Sequence, residues 1–376
     1  MIPSVVFVTG MARSGTTLLD KLLSLHPDAA VASQPLPLLY VWVKRAFWES
    51  SRRDSAPNPV AEHYPLNDLF GELSYPPEEF LTFLQTYPLT TPFCRRLLLE
   101  MVPFAGQYTK PAEPFRVLAG YQPSSVYDFV THYCIWLATA PRRVIGSKET
   151  TCEEYIPYFL ASGAKVVMLI RDPRDVLTSL NHGEGPRFGG RIKPHLFNLR
   201  QWRKSIAFAL AYQSHPQVLT MRYEDLIAHP LAELDRLCHF LTLAPFAPDV
   251  VAQDLRVQGS VWTGNSSHFS SARITAQSIG RYQQYLSPTT DRFVQALCWH
   301  EMHRFGYPPE VTKEEVPAIL SAYRETEPLA RPELACYVWS EAHLAEELQR
   351  WQRLRTQTFA PPDFLFEAAF EQLCRA

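Results

Sequence analysis

Val5-Val6-Phe7-Val8-Thr9-Gly10-Met11-Ala12-Arg13-Ser14-Gly15-Thr16-Thr17 is the stretch on which the fold turns. Its first four residues form a short β-rich apolar run that predicts a buried strand ending at Gly10. From Thr16, the residues Leu18, Leu19, Leu22, Leu23 and Leu25 fall at helical spacing until Pro27 stops them. A strand therefore feeds a loop and then a helix. The loop matches the phosphate-binding pattern G-x-x-x-x-G-K-[ST], except that Thr16 stands where the lysine belongs. The amides of Ser14, Gly15, Thr16 and Thr17 and the helix N-terminus still favour an anion. The lysine that reaches the outer phosphates of a nucleoside triphosphate is missing. Arg13 supplies a fixed positive charge instead, in a planar fork suited to phosphate or sulfate.

The same grammar returns downstream. Lys165–Ile170 is a continuous apolar run, and Arg171-Asp172-Pro173-Arg174-Asp175 follows it, with Asp172 as N-cap, Pro173 at the first helical position and Asp175 in an acidic first turn. Residues 217–221 predict a third strand, before an amphipathic helix carrying Leu231, Leu234, Leu237 and Leu241; residues 143–146 predict a short fourth. Repeated strand-helix units make this an α/β chain with a P-loop-like parallel sheet flanked by helices. Residues of about 35–141 form a Pro- and aromatic-rich insert, too long for a simple connection, and are expected to fold as short helices over the sheet. They build either extra core or an apolar acceptor pocket. Residues 1–310 form the main domain, and 311–376, where the composition turns Glu-rich, a C-terminal helical extension.

Thirty-six Lys and Arg against 38 Asp and Glu leave a formal charge of −2, so no broad polyanion-binding or acidic-membrane surface is expected. Seven scattered cysteines without a C-x-x-C pair point to reduced thiols and a cytoplasmic location, and no export or anchoring signal is read at the start.

The segment R-S-G-T-T-L-L after the first strand, followed by H-P, resembles the phosphosulfate loop of sulfotransferases that use 3′-phosphoadenosine 5′-phosphosulfate (PAPS), closest to the bacterial and tyrosylprotein branches. The run Leu169–Ser179 is similar to the family's 3′-phosphate motif. Ser179 lies two turns past the helix cap, on the face of Arg171, so the two make a candidate phosphate clamp. Lys148 stands where the family places a lysine. Tyr223, in Arg222-Tyr223-Glu224-Asp225-Leu226, resembles its nucleotide-contacting tyrosine. Ser266, Ser267 and Arg281 resemble its late cofactor loop. The resemblance runs over about residues 4–308 and implies a five-stranded core, PAPS as co-substrate, no metal requirement, and a small-molecule or peptide acceptor.

Sulfuryl transfer, like phosphoryl transfer, is catalysed chiefly by positioning and by cations around the moving group. Arg13 and Lys148 are the expected catalytic cations. The tyrosylprotein branch has a Glu after the first helix, where this chain has Gln34, an amide that cannot take a proton. His182, three residues after Ser179, is the leading candidate base, ahead of Glu149 and Glu184. It opens a stretch holding four glycines at 183–190, read as a flap or a plain surface turn. Two rival readings stand beside this one: a P-loop kinase or nucleotide hydrolase with Asp172 serving Mg²⁺, and an inactive sulfotransferase-like binding protein.

Overall fold

A computed structural model describes residues 3–51, 66, 75–101, 113–138, 140–183, 192–257, 260–262 and 271–376. Five parallel strands, β1 (Ser4–Thr9), β2 (Ala29–Ser33), β3 (Val144–Lys148), β4 (Lys165–Ile170) and β5 (Val218–Arg222), form one sheet in the order β2-β3-β1-β4-β5. The expected α/β parallel architecture is thus present. The helix after β1 runs Thr16–Leu23. Among the described residues β2 is an edge strand paired with β3 alone, and its Ala-Ala-Val-Ala-Ser sequence has one β-branched residue. Its strand conformation comes from that pairing, which is why local pattern alone did not reveal it.

Alternation along β1 divides the interior in two. Val5 and Phe7 face one side with Ile145, Val166 and Met168, while Val6 and Val8 face the other with Val144, Val167, Leu169 and the leucines of the 16–23 helix. Continuous apolar strands of this kind belong in a sheet covered on both faces. Helices Pro37–Ser51, Pro77–Thr86, Thr91–Glu100 and Val126–Leu137 of the insert cover the first face. Their aromatic residues Tyr40, Phe47, Phe80 and Tyr133 are core residues there. Phe7 stacks on Phe159 at 4.2 Å and Tyr40 packs edge-on against Tyr155 at 4.8 Å.

The helices Val316–Ala322, Glu341–Thr356 and Glu367–Leu373 add Val316, Leu320, Trp351, Leu354 and Phe370 to the same cluster. A buried charge network ties them down. On the long helix His195–Tyr212, Arg203 meets Glu301 at 3.3 Å and Glu347 at 2.7 Å, and Arg350 also pairs with Glu301. Such a network costs desolvation, yet removing one member strands its partners in a low-dielectric interior.

Candidate active site

Each group of the site leaves the sheet at, or just beyond, the carboxyl end of a strand: the Gly10–Thr17 loop after β1, Gln34 after β2, Lys148 and Glu149 at β3, Arg171 after β4 and Tyr223 after β5. β1 is central, with the next two strands on one side and the last two on the other. In such sheets the crevice at this reversal of strand order is where ligands bind.

The loop is shaped by backbone geometry. Gly15 has φ +93°, and a Cβ there would lie 2.3 Å from Cδ2 of Tyr223. The Tyr223 ring thus packs directly against the loop, which only glycine permits. Ser14 is buried and turns its hydroxyl back to donate to the Met11 carbonyl at 2.6 Å. The 16–23 helix has no acidic residue in its first turn and no side-chain cap. Its leading amides therefore face the loop's concavity without a carboxylate to compete with an anion.

The two predicted arginines form a chain of contacts that ends on Ser179. Arg13, at φ +73°, donates from Nε to Ser179 Oγ at 2.8 Å, and Arg171 donates from Nη1 to the Arg13 carbonyl at 3.0 Å. The Arg171 guanidinium lies over the Tyr223 ring at 4.7 Å, with Asp175 at 3.7 Å, and its Nη2 donates to the Ser278 carbonyl. Burial, and then the charge of Arg171, lower the pKa of Arg13 to about 10. Two guanidiniums held this close disfavour each other and favour an anion between them.

Asp172 caps the helix Pro173–Asn181 by accepting from the Arg174 amide, and its carboxylate also clamps the Arg174 side chain at 2.7 Å. The carboxylate that the kinase reading assigns to Mg²⁺ is thereby committed to a guanidinium. Trp202 donates from Nε1 to the Arg171 carbonyl at 2.8 Å, fixing the turn from the 195–212 helix.

Lys148 is fully buried beneath the loop. Its ammonium donates to Thr17 Oγ1 at 3.1 Å and Gln34 Oε1 at 3.3 Å, with Asp20 at 3.5 Å. Burial lowers its pKa, while Asp20 and Glu149 act in the opposite sense. Gln34, at φ +43°, uses both ends of its amide, accepting from Lys148 and donating to Thr150 Oγ1 at 3.3 Å. It holds the lysine. Glu149 accepts from the Leu36 amide at 3.1 Å, and burial pushes its carboxyl up to about 8.

Arg281 is brought to the same rim by a device that sequence reasoning missed. The Asp175 carboxylate accepts from the amides of Gly280 at 2.8 Å and Tyr282 at 3.1 Å, bracketing Arg281, which donates to Tyr285 Oη at 2.8 Å. Asp20, likewise unforeseen, lies between Lys21 and Lys148. A conspicuous acidic residue one turn into each loop-helix unit was the available signal. His182 lies at the far end of the 173–181 helix, with Nε2 3.5 Å from Glu327. Ser266, Ser267 and Glu184, and all of the 183–190 stretch but Gly183, lie outside the described residues.

Several solved structures resemble the chain. The sulfotransferase domain from the curacin biosynthetic pathway is 19% identical, with 85% of this chain and 98% of that one covered and a TM-score of 0.42. The sulfotransferase domain of the Synechococcus PCC 7002 olefin synthase is 16% identical over 76% and 90%, with a TM-score of 0.43. Retinol dehydratase, solved with androsterone and the inactive cofactor PAP, is 16% identical over 80% and 81%, with a TM-score of 0.39. At the level of sequence families, residues 3–81 match the sulfotransferase family and residues 150–306 match the sulfotransferase domain, together more than half of the chain. Those two segments carry the loop after β1 and the Arg171–Ser179 unit, and the chain belongs to the sulfotransferase family.

Proposed function

We propose that this protein transfers the sulfuryl group of PAPS to a hydroxyl of a small organic acceptor, in line and without a metal. The observation that carries the reading is the convergence of Arg13, Arg171 and Ser179 beside a glycine-shaped loop at a helix N-terminus. The fit is physical. Arg171 has a buried Nε without a hydrogen-bond partner among the described residues, and the like charges of the two arginines favour an anion between them. Bound PAPS supplies an activated sulfur whose leaving group is a phosphate.

Arg171, Ser179 and Arg281 would grip the 3′-phosphate, and Tyr223 would back the nucleotide. The amides of Gly15–Thr17, together with Arg13, would hold the 5′-phosphate, since the Ser14 amide already donates to the Met11 carbonyl at 3.1 Å, while Arg13 and Lys148 stabilise charge on the transferring group. Gln34 holds Lys148 in place, and His182 takes the acceptor proton. Cys94, Cys134, Cys152, Cys238 and Cys298 are buried thiols, which supports a cytoplasmic location. No helix among the described residues is long and apolar enough to cross a membrane.

Calorimetric titration with adenosine 3′,5′-bisphosphate (PAP), adenosine 5′-phosphate and Mg·ATP tests the donor, and transfer of ³⁵S from labelled PAPS to phenols, alcohols and peptides tests the reaction. Tight binding that depends on the 3′-phosphate, with labelled product, is expected. Preference for Mg·ATP, indifference to the 3′-phosphate, or binding without transfer to any acceptor would overturn it.

A further inference from the structure

A second cluster of ionisable groups lies one helical turn from Ser179. Its centre is Glu327, carried by the chain between the 316–322 and 341–356 helices. One carboxylate oxygen of Glu327 is 3.5 Å from His182 Nε2, and the other is 3.4 Å from His195 Nε2. Neither ring nitrogen has a hydrogen-bond partner among the described residues, so each meets Glu327 as an ion-pair contact. His195 is fully buried, and its Nδ1 pairs with Tyr323 Oη at 2.6 Å while its backbone amide donates to Glu325 at 2.8 Å. The segment is further pinned by the Ala330 amide, which donates to the Ile192 carbonyl at 3.0 Å.

These contacts sort the two imidazoles. His195 has both nitrogens engaged and no exposure, so it is part of the scaffold. His182 is half-buried, and with Nε2 turned to Glu327 its Nδ1 is the nitrogen left to accept a proton. Residues three apart on a helix are neighbours, about 5–6 Å between Cβ atoms, so His182 stands beside the Ser179–Arg13 contact. We propose that Glu327 is a positioning residue for His182, so that the C-terminal segment completes the site by orienting the base.

This rests on the sulfuryl-transfer reading above. In the step, the acceptor oxygen bonds to sulfur as the sulfur–oxygen bond to the leaving phosphate breaks and its electron pair departs with PAP. The acceptor proton passes to His182 Nδ1 and later to solvent. The groups facing His182 are Glu327 from the C-terminal segment, His195 from the 195–212 helix, and Tyr285, itself held by Arg281, from the 282–285 turn. Burial lowers the pKa of His182, with Glu327 acting against it. For Glu327, burial opposes ionisation, yet the two imidazoles outweigh it and hold the carboxyl low. A neutral imidazole beside an ionised carboxylate is the protonation pattern a base needs.

The test uses the full-length protein saturated with PAP, with histidine ring signals followed by NMR through pH, assigned with H182N. E327Q is expected to lower the His182 midpoint by about half a unit or more, because the raising charge is gone, and E327D to restore part of it. With labelled PAPS and 2-naphthol as acceptor probe, kcat should fall about 10²-fold in H182N and about 10-fold in E327Q. The acid limb of the E327Q profile should move to lower pH. H182N/E327Q should be no slower than H182N, since the two act as a unit. An unmoved His182 midpoint in E327Q, or a wild-type kcat in H182N, overturns the inference alone. So does an E327Q defect confined to melting temperature and PAP affinity. A wild-type chain that binds no PAP overturns the sulfuryl-transfer reading, and the inference falls with it.

Discussion

Gly15→Ala tests the loop's construction most directly. A Cβ at residue 15 would lie 2.3 Å from Cδ2 and 2.9 Å from Cε2 of Tyr223. Ordinary carbon contacts fall near 3.5–4.0 Å, so the ring must retreat by about 1 Å or more. Overpacking of this kind costs about 1–3 kcal/mol, and placing alanine at φ +93° adds about 1–2 kcal/mol. The sum is about 2–5 kcal/mol. At about 1.3 °C per kcal/mol for a chain of this size, Tm should fall by about 3–6 °C.

The same ring lies under the Arg171 guanidinium, so its retreat removes a contact worth about 0.5–2 kcal/mol and should weaken PAP binding by about 2- to 30-fold. Differential scanning calorimetry and isothermal titration read the two effects. A cycle with Tyr223→Ala isolates the clash, because with the ring gone only the backbone cost of Gly15→Ala should remain. A G15A protein that melts with the wild type would refute the reasoning. An alanine equally costly with and without the Tyr223 ring would do the same.

Arg13→Ala should weaken PAP by about 10- to 150-fold, the worth of a charge-assisted hydrogen bond, and Arg13→Lys should recover only part; equal affinity in calorimetry would contradict this. Gln34→Ala frees Lys148 and Thr150, so kcat for sulfuryl transfer should drop about 10-fold with PAP affinity nearly unchanged; a change only in affinity would place Gln34 with the nucleotide. Glu149, pushed up to about 8, keeps its proton in the folded state while the unfolded chain loses it near the ordinary 4.5. Its contribution to stability is thus present at low pH and declines as pH rises toward 8, and Glu149→Gln should flatten that decline in denaturant titrations. Glu301 is the opposite case: burial resists its charge, but Arg350 and Arg203 outweigh burial and hold it at about 2. Its stabilisation should be lost as pH falls from about 4.5 to about 2, and Glu301→Gln should cost about 3–5 kcal/mol at neutral pH; an acid transition identical in wild type and E301Q would refute this.

The loop after β1 and the Arg171–Asp175 cap were legible because their information is local. A β-rich run, a glycine pair, a capping aspartate and a proline at the first helical position act within a dozen residues. β2 was not legible, since Ala29–Ser33 has little strand preference and gains its conformation by joining β3. The distant pairings were hidden for a related reason. Asp175 stands out as an acidic first-turn residue, but its neighbours do not say that its partners are the amides around Arg281, and nothing near His182 announces Glu327. The burial of Lys148 was also invisible, because its short strand gives no sign that Thr17, Asp20 and Gln34 close over it.

The parallel ladders carry a consequence for how such a chain can vary. Phe7 pairs with Ser147 and Val166, Leu169 with Met221, and Ala32 with Ser147, so the five strand ends hold one common registration. Inserting or deleting one residue between a ladder and its site group would turn that group to the opposite face of the sheet. Point substitutions at the strand ends are therefore open to drift and selection, whereas length changes there are closed. The segment of about 35–141 joins β2 to β3 from outside the ladders; its core residues Tyr40, Phe47, Phe80 and Tyr133 must go on covering the sheet, but its length is not tied to the strand registration. Diversification of the acceptor among chains built this way should consequently be written in loop length and insert sequence, and hardly at all in strand spacing.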